Sequence, residues 1–270
     1  MFGDDLLELA VGAAHTAGAL LAERFGRPQS GVAEKSSSTD MVSDADRDAE
    51  RLLLDSILGA RPDDGLIAEE SGHRPGRTGL VWVIDPLDGT TNYLYGNPEW
   101  SVSIACRDEQ GGLLGVVYDP CRDETFTARR GAGAELNGSP ARVSGGDNLA
   151  RALVGTGFAY VPRRRALQAD ALRDVLPVVR DIRRGGSAAL DLAWVACGRL
   201  DGFFESGIRD WDRAAGMTLV TEAGGVTGIL DPGLDGADCV VAAGAGIYDA
   251  LRDLVRSAMA AARAAEDRLH

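Results

Sequence analysis

The stretch that most constrains the fold is VWVIDPLDGTTNYLYG, residues 81–96. Val81, Trp82, Val83 and Ile84 are β-branched or aromatic and uncharged, the pattern of a strand buried on both faces. The rest of the chain therefore reads as support for this strand. Pro86 lacks the N–H that a central ladder needs, which predicts that the strand stops at Asp85 and the chain turns. Asp85, the Leu87 carbonyl and Asp88 then stand at the strand's mouth, three oxygen donors suited to a hard divalent cation. Gly89, Thr90 and Thr91 follow, and if a helix begins there its free amides suit a phosphate. An acidic surface loop fits the same residues, so the stretch alone leaves both readings open.

Upstream, Leu6, Leu9, Ala13, Ala17, Leu20 and Leu21 recur at helical spacing, predicting an amphipathic helix over residues 3–25 that Gly26 and Pro28 close. Ser43 is placed to cap a second helix over residues 44–58, with Asp44 and Asp46 in its first turn. Asp44, Asp46 and Asp48 are spaced like a calcium loop, but Ala49 stands where the glycine belongs and Asp55 where the glutamate belongs. Residues 66–68 predict a short strand that delivers Glu69 and Glu70, only one of which can face a given site. Alternation at 101–106, 113–118, 124–128 and 142–143 predicts antiparallel strands.

After Gly145, Gly146 and Asp147 the rhythm changes. Strands are expected near 152–155, 182–183, 202–204 and 239–242, and helices over 165–180, 187–197, 211–222 and 247–268, an α/β pattern. Gly224 and Gly225 are expected to end the third of these helices. The chain thus divides into an α+β half, residues 1–145, and an α/β half, residues 146–270, with the site between them.

A net charge of −13 argues against a nucleic-acid or anionic-membrane surface, so an anionic substrate has to be captured locally. The short basic runs at 163–165 and 183–184 read as solvated faces or interface contacts. Cys106, Cys121, Cys197 and Cys239 form no CxxC pair, which argues against a zinc site or a disulfide framework. The N-terminus is acidic where a signal peptide is basic, and no apolar run reaches about 18 residues. A soluble cytoplasmic protein is expected.

DPLDGTTN, residues 85–92, resembles the first signature of the inositol monophosphatase family, and WDRAAGMTLVTEAGG, residues 211–225, resembles its second. AEES at 68–71 and KSSSTDMVSDAD at 35–46 are similar to two further segments of that family, in the same order. DPGLDGAD at 231–238 lacks the threonines and follows no strand, so it reads as a loop.

The resemblance implies a layered αβαβα sugar-phosphatase fold, with an antiparallel sheet in the N-terminal half and a mixed α/β C-terminal half. It implies metal ligands Glu69, Asp85, the Leu87 carbonyl, Asp88 and Asp212, with Glu70 and Lys35 in support. Asp212 alone also fits a charge paired with its helix dipole. Two carboxylates about 5 Å apart at an effective dielectric near 20 repel by about 3 kcal/mol, so such a cluster calls for divalent cations. With oxygen donors, and with His15, His73 and His270 away from every motif, magnesium is expected at about two or three ions per site, with manganese as a substitute.

The implied reaction is hydrolysis of a phosphate monoester by in-line attack of water. Glu69 and Thr90 orient the water, and Asp46 accepts the Thr90 hydroxyl. Asp88, Gly89, Thr90 and Asp212 meet the phosphate side of the substrate. GSAALD places Gly186, Ser187 and Ala188 beside the alcohol, and Glu205 binds its hydroxyls, favouring inositol 1-phosphate or a related polyol phosphate. Arg209 and Asp210 depart from the family pattern at the rim. Fructose-1,6-bisphosphatase, histidinol-phosphate phosphatase and nucleotide 3′-phosphatase activities remain alternatives, as does a binding or regulatory role. A homodimer and lithium sensitivity are family expectations.

Overall fold

The computed structural model describes residues 2–34 and 41–268. Lys35 lies outside the described residues. The N-terminal helix α1 (Phe2–Arg24) turns Leu6, Ala10, Ala13, Ala14, Ala17 and Leu21 into the core. By length and composition this helix is apolar enough to cross a membrane, yet its apolar stripe is spent on packing inside the protein. A short pair, β1 (Ala33–Glu34) and β2 (Met41–Val42), precedes α2 (Asp44–Ala60). Ser43 caps α2 as expected: its hydroxyl accepts the Ala45 N–H, and the Asp46 carboxylate accepts the Ser43 N–H at 2.9 Å.

The first sheet comprises β3 (Gly65–Ala68), β4 (Gly72–Arg74), β5 (Val81–Asp88), β6 (Ser101–Asp108), β7 (Gly111–Asp119), β8 (Glu124–Arg129), β9 (Gly133–Leu136) and β10 (Ser139–Ala141), in the order β10-β9-β8-β7-β6-β5-β3-β4 among the described residues. Only the β3/β5 pair is parallel among these. Trp82 and Ile84 of β5 pack with α1 and α2, whereas Val83 packs on the opposite side, so the strand is indeed covered on both faces.

Beyond a short helix, α3 (Thr90–Leu94), and a 3₁₀ turn at Leu149–Arg151, the second sheet follows. Its strands are β11 (Leu153–Thr156), β12 (Asp181–Arg183), β13 (Gly202–Ser206), β14 (Gly225–Leu230) and β15 (Cys239–Gly244), in the mixed order β12-β11-β13-β15-β14. Four helices accompany it among the described residues: α4 (Pro162–Val175), α5 (Ala188–Ala196), α6 (Asp210–Glu222) and α7 (Ala245–Asp267). Helices α5 and α6 lie between the two sheets, sharing one core with Val83, Ala105 and Val117 on one side and Phe203, Val240 and Ala242 on the other. Helices α4 and α7 cover the far face of the second sheet. The layers are α1/α2, sheet, α5/α6, sheet, α4/α7, an αβαβα stack. Gly115 permits the close approach of α6, since a Cβ there would meet the Ala215 carbonyl at 2.6 Å.

Three local expectations are corrected. Strand β5 does not stop at Asp85 but runs to Asp88. Its pairing steps from Asp85↔Ser103 to Asp88↔Ser101, three residues against two, so β5 carries one extra residue in a bulge. Pro86 sits inside that bulge, where its missing N–H costs no ladder bond. Residues 142–143 are not a strand. The sheet ends instead in the β9/β10 hairpin, whose turn residues Asn137 and Gly138 both have positive φ, 49° and 74°. Finally, only Gly224, at φ 87°, ends α6, while Gly225 opens β14, where it pairs with Gly244.

Candidate active site

The β5 bulge aims Asp85 and Asp88 at the same point that Asp212 reaches from the first turn of α6. The ligand-type oxygens of these three residues lie within 4.8 Å of one another. Each carboxylate is anchored by a neighbouring donor. Asp85 Oδ1 accepts the Leu87 N–H at 3.0 Å, and Asp88 Oδ2 accepts Ser187 Oγ at 2.5 Å and the Ala189 N–H at 2.7 Å. Asp212 Oδ2 accepts the Arg209 N–H at 2.5 Å, so it closes its helix terminus and joins the cluster at once.

Glu69 follows β3 in a turn that α2 holds from behind. The buried Glu50 carboxylate accepts the Glu70 and Ser71 N–H groups, both at 2.8 Å. Glu50 was not among the predicted residues, although a signal existed. It is an acidic residue on the same α2 stripe as Ala49, Leu53 and Ile57, and an unpaired charge on a core face has to have a partner.

Burial pushes the Asp85 carboxyl well above the ordinary carboxylate range, with the charges of Glu69, Asp88 and Asp212 adding to the effect. Burial likewise raises Asp88 to about 6, opposed by the hydrogen bonds from Ser187, Ala189 and Ala188 and by the Arg184 charge. Asp212 rises to about 7 through burial and the Asp88 charge. Such a cluster resists ionisation until a cation enters. Its donors are all oxygens, with no histidine or cysteine among them, which fits a hard divalent ion.

Beside the cluster, Thr90 Oγ1 lies 3.0 Å from Asp46 Oδ1 and 3.1 Å from the Leu87 carbonyl. Gly89 before it has φ 98°, and a Cβ there would meet the Glu99 carbonyl at 2.8 Å, so glycine is required. The Asn92 side chain donates to the Glu99 carbonyl at 2.6 Å and to the Gly185 carbonyl at 2.9 Å, tying α3 to the loop that carries Gly186.

A cleft of about 360 Å³ opens over these groups. Of the predicted residues, Glu69, Asp85, Leu87, Asp88, Gly89, Thr90, Gly186, Ala188, Glu205 and Asp212 line it. Ser187 does not. It is 1% exposed, with its hydroxyl committed to Asp88 and to the Leu190 N–H as the cap of α5. Asp46 and Glu70 also stand behind the lining. Glu205 lies against the Gly157 backbone, and burial raises its carboxyl to about 8, with the Asp212 charge adding and Arg184 opposing.

The basic runs need correction. Arg163 pairs with Glu266 and Arg183 with Asp181, as solvated contacts, but their neighbours Arg164 and Arg184 line the cleft together with Arg209. Phe158, Tyr160 and Trp211 also line it.

The sequence model of the inositol monophosphatase family matches residues 3–265. The chain belongs to the inositol monophosphatase family. It is 45% identical over 223 residues to Nus factor SuhB of Escherichia coli, covering 82% of this chain and 84% of that one. It is 41% identical over 260 residues to inositol-1-monophosphatase of Mesorhizobium japonicum, covering 95% and 98%. Among solved structures, the extragenic suppressor protein SuhB of Bartonella henselae superposes with a TM-score of 0.86 at 37% identity, covering 93% of this chain and 98% of that one. Inositol monophosphatase family members are metal-dependent phosphatases of small phosphorylated substrates, and the acidic cluster of this chain has the oxygen donors to hold such a metal.

Proposed function

We propose that the protein is a magnesium-dependent phosphomonoesterase that hydrolyses inositol 1-phosphate, or a related polyol phosphate, to the free alcohol and inorganic phosphate. One observation carries this reading: three aspartate oxygens converge within 4.8 Å on the floor of a cleft whose wall carries Glu205. Glu69, Asp85, the Leu87 carbonyl, Asp88 and Asp212 would hold the ions, with Mn²⁺ as a substitute for Mg²⁺. Bound divalent ions would supply charge neutralisation for the phosphoryl and leaving oxygens and a lowered pKa for water.

The chain's own groups do the rest. Asp46 accepts the Thr90 hydroxyl and so fixes the lone pairs of Thr90 Oγ1, and Thr90 with Glu69 orients the attacking water and takes its proton. The Gly89 and Thr90 amides face the phosphoryl oxygens. Glu205, whose carboxyl burial pushes up to about 8 in the metal-free site, offers its two oxygens to neighbouring hydroxyls of the alcohol. Residues 1–145 supply most of the ion site and residues 146–270 the alcohol side. On the same family reading the protein is a lithium-sensitive cytoplasmic homodimer.

The test is phosphate release from inositol 1-phosphate, fructose 1,6-bisphosphate, histidinol phosphate and a nucleoside 3′-phosphate, each with magnesium and with chelator. Magnesium-dependent preference for inositol 1-phosphate supports the reading. Preference for another ester replaces the substrate and keeps the mechanism, and silence from folded protein rejects both. The E. coli relative named Nus factor SuhB favours a second reading, a binding role in a larger assembly. Recovery of one stoichiometric partner that survives Asp88→Asn would favour it.

A further inference from the structure

Strand β6 begins with two serines that stand opposite the aspartates of β5: Ser101 pairs with Asp88 and Ser103 with Asp85. Both are fully buried. Being two apart they share one face of the sheet, the face on which Ala105 meets α5 and α6, while Val102 and Ile104 turn to the α1/α2 core. A hydroxyl on such a face is costly unless it is bonded. Both are bonded, and each reaches across the layer to a different helix. Ser101 Oγ lies 3.3 Å from Ser187 Oγ, the cap of α5, and Ser103 Oγ donates to the Trp211 carbonyl of α6 at 3.2 Å.

Valence fixes the direction of the first bond. Ser187 has one hydroxyl proton, and it goes to Asp88 Oδ2 at 2.5 Å, because an ionised carboxylate can only accept. The Ser187 oxygen is then an acceptor, taking the Leu190 N–H at 3.3 Å and the proton of Ser101. Donation therefore runs from Ser101 to Ser187 to Asp88, and a hydroxyl that accepts in this way becomes the stronger donor. The second bond acts on the backbone. Trp211 directly precedes Asp212 in the first turn of α6, and Ser103 ties that turn to β6.

Resting on the proposed reading of Asp88 and Asp212 as ion ligands, we infer that Ser101 and Ser103 are positioning residues for the ion site. Ser101 acts through the α5 cap that orients Asp88, and Ser103 through the α6 turn that carries Asp212. One strand of the first sheet thereby sets the register of two helix ends from the second half of the chain.

The experiment is calorimetric titration of magnesium into the metal-free protein at fixed pH, with the metal-free Tm measured alongside. Ser101→Ala and Ser103→Ala should each weaken magnesium binding about 3- to 10-fold, less than the loss of a direct partner of a ligand. In a Ser187→Ala background, Ser101→Ala should have no further effect on affinity, whereas Ser103→Ala should keep its full effect because its route is separate. Ser101→Cys, close in volume and a weaker donor, should fall between serine and alanine and serves the same comparison if the alanine variant is unstable. Unchanged affinity with a lowered Tm in these variants would make the serines merely structural and overturn the inference. An equal loss from Ser101→Ala with and without Ser187 would also overturn it, while leaving the ion site intact. Failure of the folded wild type to bind magnesium would overturn the ligand reading as well.

Discussion

Ser187 Oγ and Asp88 Oδ2 lie 2.5 Å apart across 99 positions of sequence, joining the cap of α5 to the β5 bulge. This bond helps to keep the Asp88 carboxyl as low as about 6 against the pressure of burial. Ser187→Ala should raise the Asp88 pKa, so the pH midpoint for magnesium loading moves upward. Loss of the cap should also lower stability by about 1 kcal/mol. Magnesium titrations followed by activity at several pH values, with a denaturant melt, measure both effects.

Asp88→Asn keeps the shape of the side chain and removes a charge from the cluster. Turnover should fall more than about 100-fold. The metal-free protein should melt at the same temperature or higher, since one buried repulsion is gone. Near-normal turnover at saturating magnesium would reject the ligand assignment.

Thr90→Ala leaves Asp46 Oδ1 without the hydroxyl it accepts at 3.0 Å. The expected outcome is a loss of kcat of about 10- to 100-fold with little change in KM, and a stability loss of about 1–3 kcal/mol. Thr90→Ser retains the hydroxyl and should recover most of the rate. Equal damage by both substitutions would show that the methyl group, not the hydrogen bond, is what the site needs.

The pH response follows from folded-state pKa values that lie above the unfolded ones. Asp88 at about 6, Asp212 at about 7 and Glu205 at about 8 all bind protons more tightly when folded. Their contribution to stability is therefore complete below about pH 4 and is lost as pH rises through those values. A divalent ion at the aspartates reverses much of that loss, and its binding releases protons. The rise in Tm on adding magnesium should be larger at pH 8 than at pH 6, and apparent magnesium affinity should fall as pH drops from 8 to 6. A pH-independent increment in Tm would contradict the cluster's role.

Asp85 and Asp88 were legible as paired oxygen donors because they lie close together after one apolar run, whereas Asp212 was singled out by the resemblance of residues 211–225 to a family motif. The αβαβα stack was implied by the resemblance of the ordered motifs to a family, and the apolar run at 81–84 told only that its strand is covered on both faces. What escaped was decided at long range. Glu50 grips a turn twenty residues downstream, and its place on an apolar helix stripe calls for a partner without saying which. Arg164 and Arg184 sit in basic runs like any solvated ones, and only the tertiary fold brings both to the lining of one cleft. Strand β14 was hidden because paired glycines after a helix signal its end as readily as the first residue of the next strand.

The extra residue in β5 makes the site a matter of parity. Side chains along a strand alternate between two faces, so the bulge shifts Asp88 by one step relative to a regular ladder. A regular ladder without the bulge would keep every liganding residue but hold Asp85 and Asp88, three positions apart, on opposite faces. Asp88 would then swing from the cleft to the opposite face, against the packed α1/α2 layer. The composition of the motif would be nearly untouched, and its meaning inverted.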